Sequence, residues 1–94
     1  MPYLLIRHKV KDFATWKPVF DAHGEFRKAN GSKGGMVCTS ADDPNEVVIL
    51  LEWDTVENAR KFTESPGLRE AMEKAGVADK PDVYHLKEAG KAAS

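Results

Sequence analysis

The sequence predicts an α+β fold: a ferredoxin-like βαββαβ sandwich, with a four-stranded antiparallel sheet and both helices on one face. Three observations carry that prediction. Glu46 to Trp53 holds five consecutive apolar residues, Val47-Val48-Ile49-Leu50-Leu51, bounded by Pro44-Asn45 and Asp54-Thr55. A run of that length, rich in β-branched side chains, fits a strand rather than a helix. Tyr3-Leu4-Leu5-Ile6 is a second such run, and segments with apolar residues three and four positions apart follow each of the two. In this topology the first and third strands occupy the middle of the sheet, where a strand is covered on both faces, and these are the two strands with apolar residues on both faces.

The first strand, Tyr3 to Val10, changes from a continuous apolar run to alternation past Ile6, which predicts that its far end leaves the middle of the sheet. Asp12 is a suitable N-cap, and Phe13, Trp16, Phe20 and His23 fall on one helical face. Pro18 removes a backbone hydrogen bond inside that segment, so the expectation is a short turn from Asp12 and a helix from about Lys17, or a kinked helix. Gly24 weakens its middle, and Asn30-Gly31 supplies a left-handed stop. Ser32-Lys33-Gly34-Gly35 is read as a flexible lead into a short strand, Met36 to Thr39, joined to the central strand by the turn formers Ser40 to Asn45. Asp54-Thr55-Val56-Glu57 has capping-box spacing with the aspartate as cap, and a helix bearing Val56, Ala59 and Phe62 follows. Ser65-Pro66 restarts the helix, with Leu68, Ala71, Met72 and Ala75 as its apolar stripe and Gly76 as its end. After a loop from Val77 to Pro81, Asp82 to Lys87 reads as the last strand, its facing left open between Tyr84 and His85.

The 94 residues suffice for one domain, residues 1–88, followed by a loose tail, residues 89–94. A chain of this size buries only roughly two thirds of its unfolded surface and gains from association. Fourteen basic and fifteen acidic residues are mixed along the chain, so no nucleic-acid footprint is visible. The single Cys38 cannot form an internal disulfide, and no leader or long apolar run predicts export or a membrane partner. The cytoplasm is the default location. Helices from the same chain cover one face of the central strand. The other face is most simply covered by a second copy of the sheet, which predicts a homodimer.

Within this architecture, the stretch Glu52-Trp53-Asp54-Thr55-Val56-Glu57 through Ser65-Pro66-Gly67-Leu68 resembles antibiotic-biosynthesis-monooxygenase-like proteins, in which a strand ends in Trp, a helix follows and a Ser-Pro pair restarts it. Leu5-Ile6-Arg7-His8-Lys9-Val10 is similar to the first strand of that family. The resemblance implies a dimeric α+β barrel with two sheets packed face to face. It also implies a cavity between each sheet and its own helices, which holds an aromatic polyketide-like substrate without metal or flavin. Haem-degrading relatives hold haem there, but they carry a histidine where this chain has Phe62 and an asparagine where it has Ile6. Both departures argue against haem. No cofactor is expected.

Placing Trp53 on the helix-facing side, as the resemblance implies, puts Val47, Ile49 and Leu51 there and leaves Val48 and Leu50 towards the partner copy. A buried indole then needs a hydrogen-bond partner. His8 points under the helices by the same register, and His23 lies on the sheet-facing stripe. Either is a candidate general base, because imidazole titrates near neutral pH; both are equally readable as core residues. Phe13, Trp16, Phe20, Trp53, Phe62, Met72 and Tyr84 are the candidate substrate-binding residues, Tyr84 lining the pocket or sitting at a strand edge. Scattered histidines without acidic or thiol ligands at fixed spacing predict no metal site. Cys38 reads as a packed thiol, and Gly34-Gly35 lacks the rest of a phosphate loop. Two functions stand side by side. One is binding of a small apolar or aromatic molecule with cofactor-independent monooxygenase or cyclase chemistry, and the other is a non-catalytic carrier or structural dimer.

Overall fold

The computed structural model of the chain describes residues 2–76 and 81–93; the side chains of residues 67, 71, 72, 74 and 75 lie outside that description. The elements are β1 (Pro2–Lys9), α1 (Phe13–Ala22), α2 (Gly24–Asn30), β2 (Ser32–Thr39), β3 (Glu46–Trp53), α3 (Val56–Thr63), α4 (Pro66–Ala75) and β4 (Asp82–Lys87). The four strands form one antiparallel sheet in the order β2-β3-β1-β4. The two central strands are those with apolar residues on both faces, as the sequence predicts. Beyond Arg7, β1 keeps only its β3 partner.

Strand parity divides the sheet into a closed face and an open one. On the closed face, cross-strand rows such as Val37-Ile49-Ile6-Val83 lie under the helices. Leu4, Ile6, Val47, Ile49, Leu51 and Trp53 on this side are all buried, and they pack with Trp16, Ala59 and Phe62 from the helices. On the open face the register sets Met36, Leu50, Leu5 and Tyr84 in one apolar row across the full width of the sheet. Met36 and Tyr84 remain 59% and 55% exposed. At one end of this face Arg7 joins the strands, its Nε donating to Glu46 Oε1 at 2.9 Å and its Nη1 to Asp82 Oδ2 at 3.0 Å.

Several boundaries differ from expectation. The first helix runs without interruption through the exposed Pro18, so it does not begin at Lys17; the break comes at His23, whose φ of -86° and ψ of 2° separate α1 from α2. Asp12 makes no side-chain cap to the backbone. It accepts instead from the Thr15 hydroxyl at 2.7 Å, while Asn45 Oδ1 receives the Phe13 N–H at 3.0 Å. The cap of α3 is Thr55, whose hydroxyl accepts from the Asn58 N–H at 3.0 Å; Asp54 accepts from Thr55 N–H and from the Asn58 amide. Ser32 to Gly35 belongs to β2 rather than to a flexible lead, because pairing with the exposed edge of β3 recruits it, with an irregularity between Ser32 and Gly34. Gly31 ends α2 at a φ of +117°, as its position after Asn30 predicts. Residues 88–93 are exposed and carry no regular secondary structure, and residues 77–80 of the expected loop lie outside the described residues. No helix among the described residues is long and apolar enough to cross a membrane.

Candidate functional site

The closed face and the helices do not meet everywhere. Between them lies a cavity of about 40 Å³, floored by Ile6, His8, Ile49 and Leu51 of the sheet. Trp16, Val19, Phe20, His23 and Arg27 cover it from α1 and α2, and Phe62 and Leu68 close its end. A space of that size admits a few waters at roughly 10–15 Å³ each. An aromatic ligand ordinarily needs a pocket of about 300–1,000 Å³.

The lining follows from two periodicities. Residues two apart on β1 and β3 share the closed face, and Trp16, Phe20, His23 and Arg27 recur at steps of three and four along α1 and α2. Both histidines proposed as bases reach this one cavity, His8 from β1 and His23 from the junction of α1 and α2. His8 is 1% exposed, with its ring 5.7 Å edge-on from Trp16. His23 packs its ring 4.6 Å from Phe26. Trp16, Phe20 and Phe62 line the space. Phe13 stands behind Trp16 at 5.7 Å, and the wholly buried Trp53 stands behind Phe62 at 5.1 Å, so these two back the wall. Tyr84 pairs with Leu5 on the open face of the edge strand β4, which separates it from the cavity by the thickness of the sheet. His85 takes the closed face in its place, opposite Leu4. The Met72 side chain lies outside the described residues, as do those of Ala71 and Ala75.

Burial lowers the pKa of His23 below the usual histidine value, and the positive charge of Arg27 lowers it further. A neutral imidazole at neutral pH is the form that accepts a proton. Arg27 itself is half-buried: its guanidinium lies 3.7 Å over the Phe20 ring, and its Nη1 donates to the Phe20 carbonyl at 2.8 Å. Burial draws its pKa below the normal value, partly offset by Asp21. Arg27 is not among the residues the sequence singles out; it follows His23 by four positions across the break between α1 and α2. The hydrogen-bond partner expected for Trp53 is not found, its Nε1 being buried without one among the described residues.

Next to the cavity lies a second, larger groove of about 620 Å³ along α2 and the Ser32 to Val37 part of β2. Phe20, Arg27 and Leu51 line both spaces. Ile6 and Phe62 both sit at the cavity wall. Among the described residues no group of three or more His, Cys, Asp or Glu side chains is placed to hold a metal ion.

No family model matches the chain, and no curated protein matches it either. Solved structures do. The cofactor-independent oxygenase SnoaB of Streptomyces nogalater is 15% identical, with a TM-score of 0.75 over 99% of this chain and 97% of that one. The ActVA-Orf6 monooxygenase of Streptomyces coelicolor, solved with the ligand nanaomycin D, is 17% identical, with a TM-score of 0.71 over 99% and 91%. Rv0793 of Mycobacterium tuberculosis is 16% identical, with a TM-score of 0.69 over 99% and 100%. At these identities the likeness establishes the fold, which is the ferredoxin-like fold read from the sequence.

Proposed function

We propose that the chain works as a homodimer whose subunits each bind a small planar aromatic molecule between sheet and helices and oxidise it without a cofactor. The observation that carries this reading is the convergence of His8 and His23 on one apolar cavity. Likeness in fold to a monooxygenase and to a cofactor-independent oxygenase supports it. In this mechanism His23 or His8 takes a proton from an acidic C–H of a phenolic substrate. The carbanion passes electrons to O₂ and forms a C–O bond, and the imidazolium returns its proton to give a hydroperoxide. Loss of water then leaves a carbonyl, so that each CH₂ plus O₂ becomes C=O plus H₂O. The protein supplies position and a dry site. A cytoplasmic location is part of the same proposal.

The apolar row Met36-Leu50-Leu5-Tyr84 supports the dimer, with Val48 beside it on the same face, because a face this apolar is normally covered. A cyclase-like reaction would use the same base without oxygen.

A second reading is favoured by the small volume of the cavity: a non-catalytic carrier, or a dimer whose cavity is only imperfect packing. Oxygen uptake with an anthrone-type phenol separates these. The oxygenase reading expects consumption above the spontaneous rate, lost in the His8→Ala and His23→Ala double variant. No acceleration by the wild type, or acceleration that survives both substitutions in a folded protein, overturns it.

A further inference from the structure

The side chains that close the cavity also carry a cation positioned for an anion. Phe20 and Arg27 form a stacked pair that lines both the small cavity and the larger groove. The cavity alone is too small for an aromatic ligand, whereas the groove beside it, at about 620 Å³, is of the usual size, and the two share Phe20, Arg27 and Leu51 in their walls.

The charge there is one-sided. Arg27, Lys28 and Lys33 line the groove, and among the described residues no acidic side chain does. The chain as a whole has a formal net charge of -1, so this local excess is not inherited from composition. Arg27 has a backbone carbonyl and an aromatic face as neighbours but no carboxylate in hydrogen-bond contact among the described residues. Asp21 is held by Lys17 Nζ, at 2.8 Å to each oxygen. A half-buried guanidinium with no carboxylate in hydrogen-bond contact among the described residues has given up hydration for little return, and its planar fork matches a carboxylate in bidentate geometry.

We infer that the ligand is a planar aromatic acid: its rings displace Phe20 and enter the cavity beside His8 and His23, while its carboxylate is bound by Arg27, with Lys33 and Lys28 along the groove. This rests on the pocket reading above and specifies the chemical class that the pocket takes. It also orients the ligand, since the acid group stays at the groove and the far ring edge faces the histidines.

The test is a matched pair of probes, anthraquinone-2-carboxylate and its uncharged carboxamide, titrated by calorimetry into the wild type, Arg27→Gln, Arg27→Lys and Phe20→Ala. The acid should bind the wild type at least tenfold more tightly than the amide, with an advantage that shrinks as salt is added. Arg27→Gln should erase that preference, Arg27→Lys should restore part of it, and Phe20→Ala should tighten both probes. Equal binding of acid and amide by the wild type overturns the inference and leaves the pocket reading standing. Binding of neither probe by the wild type and Phe20→Ala overturns both. The wild-type comparison is decisive even if a substitution at Arg27 disturbs folding.

Discussion

Leu50→Glu is the substitution with the most to say about assembly. Leu50 lies in β3, near the middle of the open face, with Met36 and Leu5 opposite it on the two neighbouring strands and Tyr84 beyond Leu5. In a monomer the new carboxylate projects into water, and the cost is a strand preference of up to about 1 kcal/mol. Against a second sheet, the same carboxylate would be stripped of water without a partner, at about 3 kcal/mol per copy. Symmetry doubles this to about 6 kcal/mol, which weakens association by about 10⁴-fold at 1.4 kcal/mol per decade. The lost burial of the leucine adds to it in the same direction. Sedimentation equilibrium over a micromolar range, with circular dichroism on the same samples, reads both quantities. The expected result is a dimer for the wild type and a folded monomer for Leu50→Glu. A compact wild-type monomer at those concentrations, or an unaltered dimer in the variant, would refute the face-to-face arrangement.

Gly35→Ala should destabilise more than Gly34→Ala in urea unfolding. A methyl at position 35 would collide with the Leu50 carbonyl oxygen, forcing β2 from β3 at about 3 kcal/mol, whereas at position 34 nothing lies within 4 Å. The positive φ of +91° at Gly34 then costs about 1 kcal/mol by itself. Thr55→Ala should lose about 1 kcal/mol with the α3 cap, checked by thermal melting. Arg27→Gln should raise the pKa of His23, because removing the guanidinium removes one of the two causes that lower it. A base active in its neutral form would then lose activity at a higher pH on acidification, so the acid limb of kcat/KM should shift upward. NMR titration of the His23 ring measures the same shift directly.

The sheet was readable because β3 states its environment twice. Its apolar run demands cover on both faces, its parity groups Val47, Ile49, Leu51 and Trp53 on one of them, and the resemblance at Trp53 implied that this is the helix side, where all four are buried. His8 was placed by the same parity. The local details were less legible because neighbouring residues offered equivalent chemistry. Asp54 and Thr55 are both good caps with a polar residue three positions on, and backbone geometry selected Thr55. Pro18 fits a continuous helix in spite of its missing N–H, and the chain breaks at His23-Gly24 instead. Ser32 to Gly35 has no strand preference of its own, so only the partner strand reveals it. The side of the sheet occupied by Tyr84 depends on a register that β1 sets at long range. The Arg27-Phe20 contact crosses the helix break, where the regular spacing of a single helix gives no assurance that a stripe continues.

The most direct examination of the central claim uses long-range ¹H–¹⁵N spectra of the three histidine rings while an acidic anthrone-type phenol is added under nitrogen. His8 and His23 should shift together and saturate at one ligand per chain, while His85, which lies outside the cavity lining, stays in place. Shifts confined to His85, or no change at His8 and His23 with ligand in excess, would contradict a shared site beneath the helices.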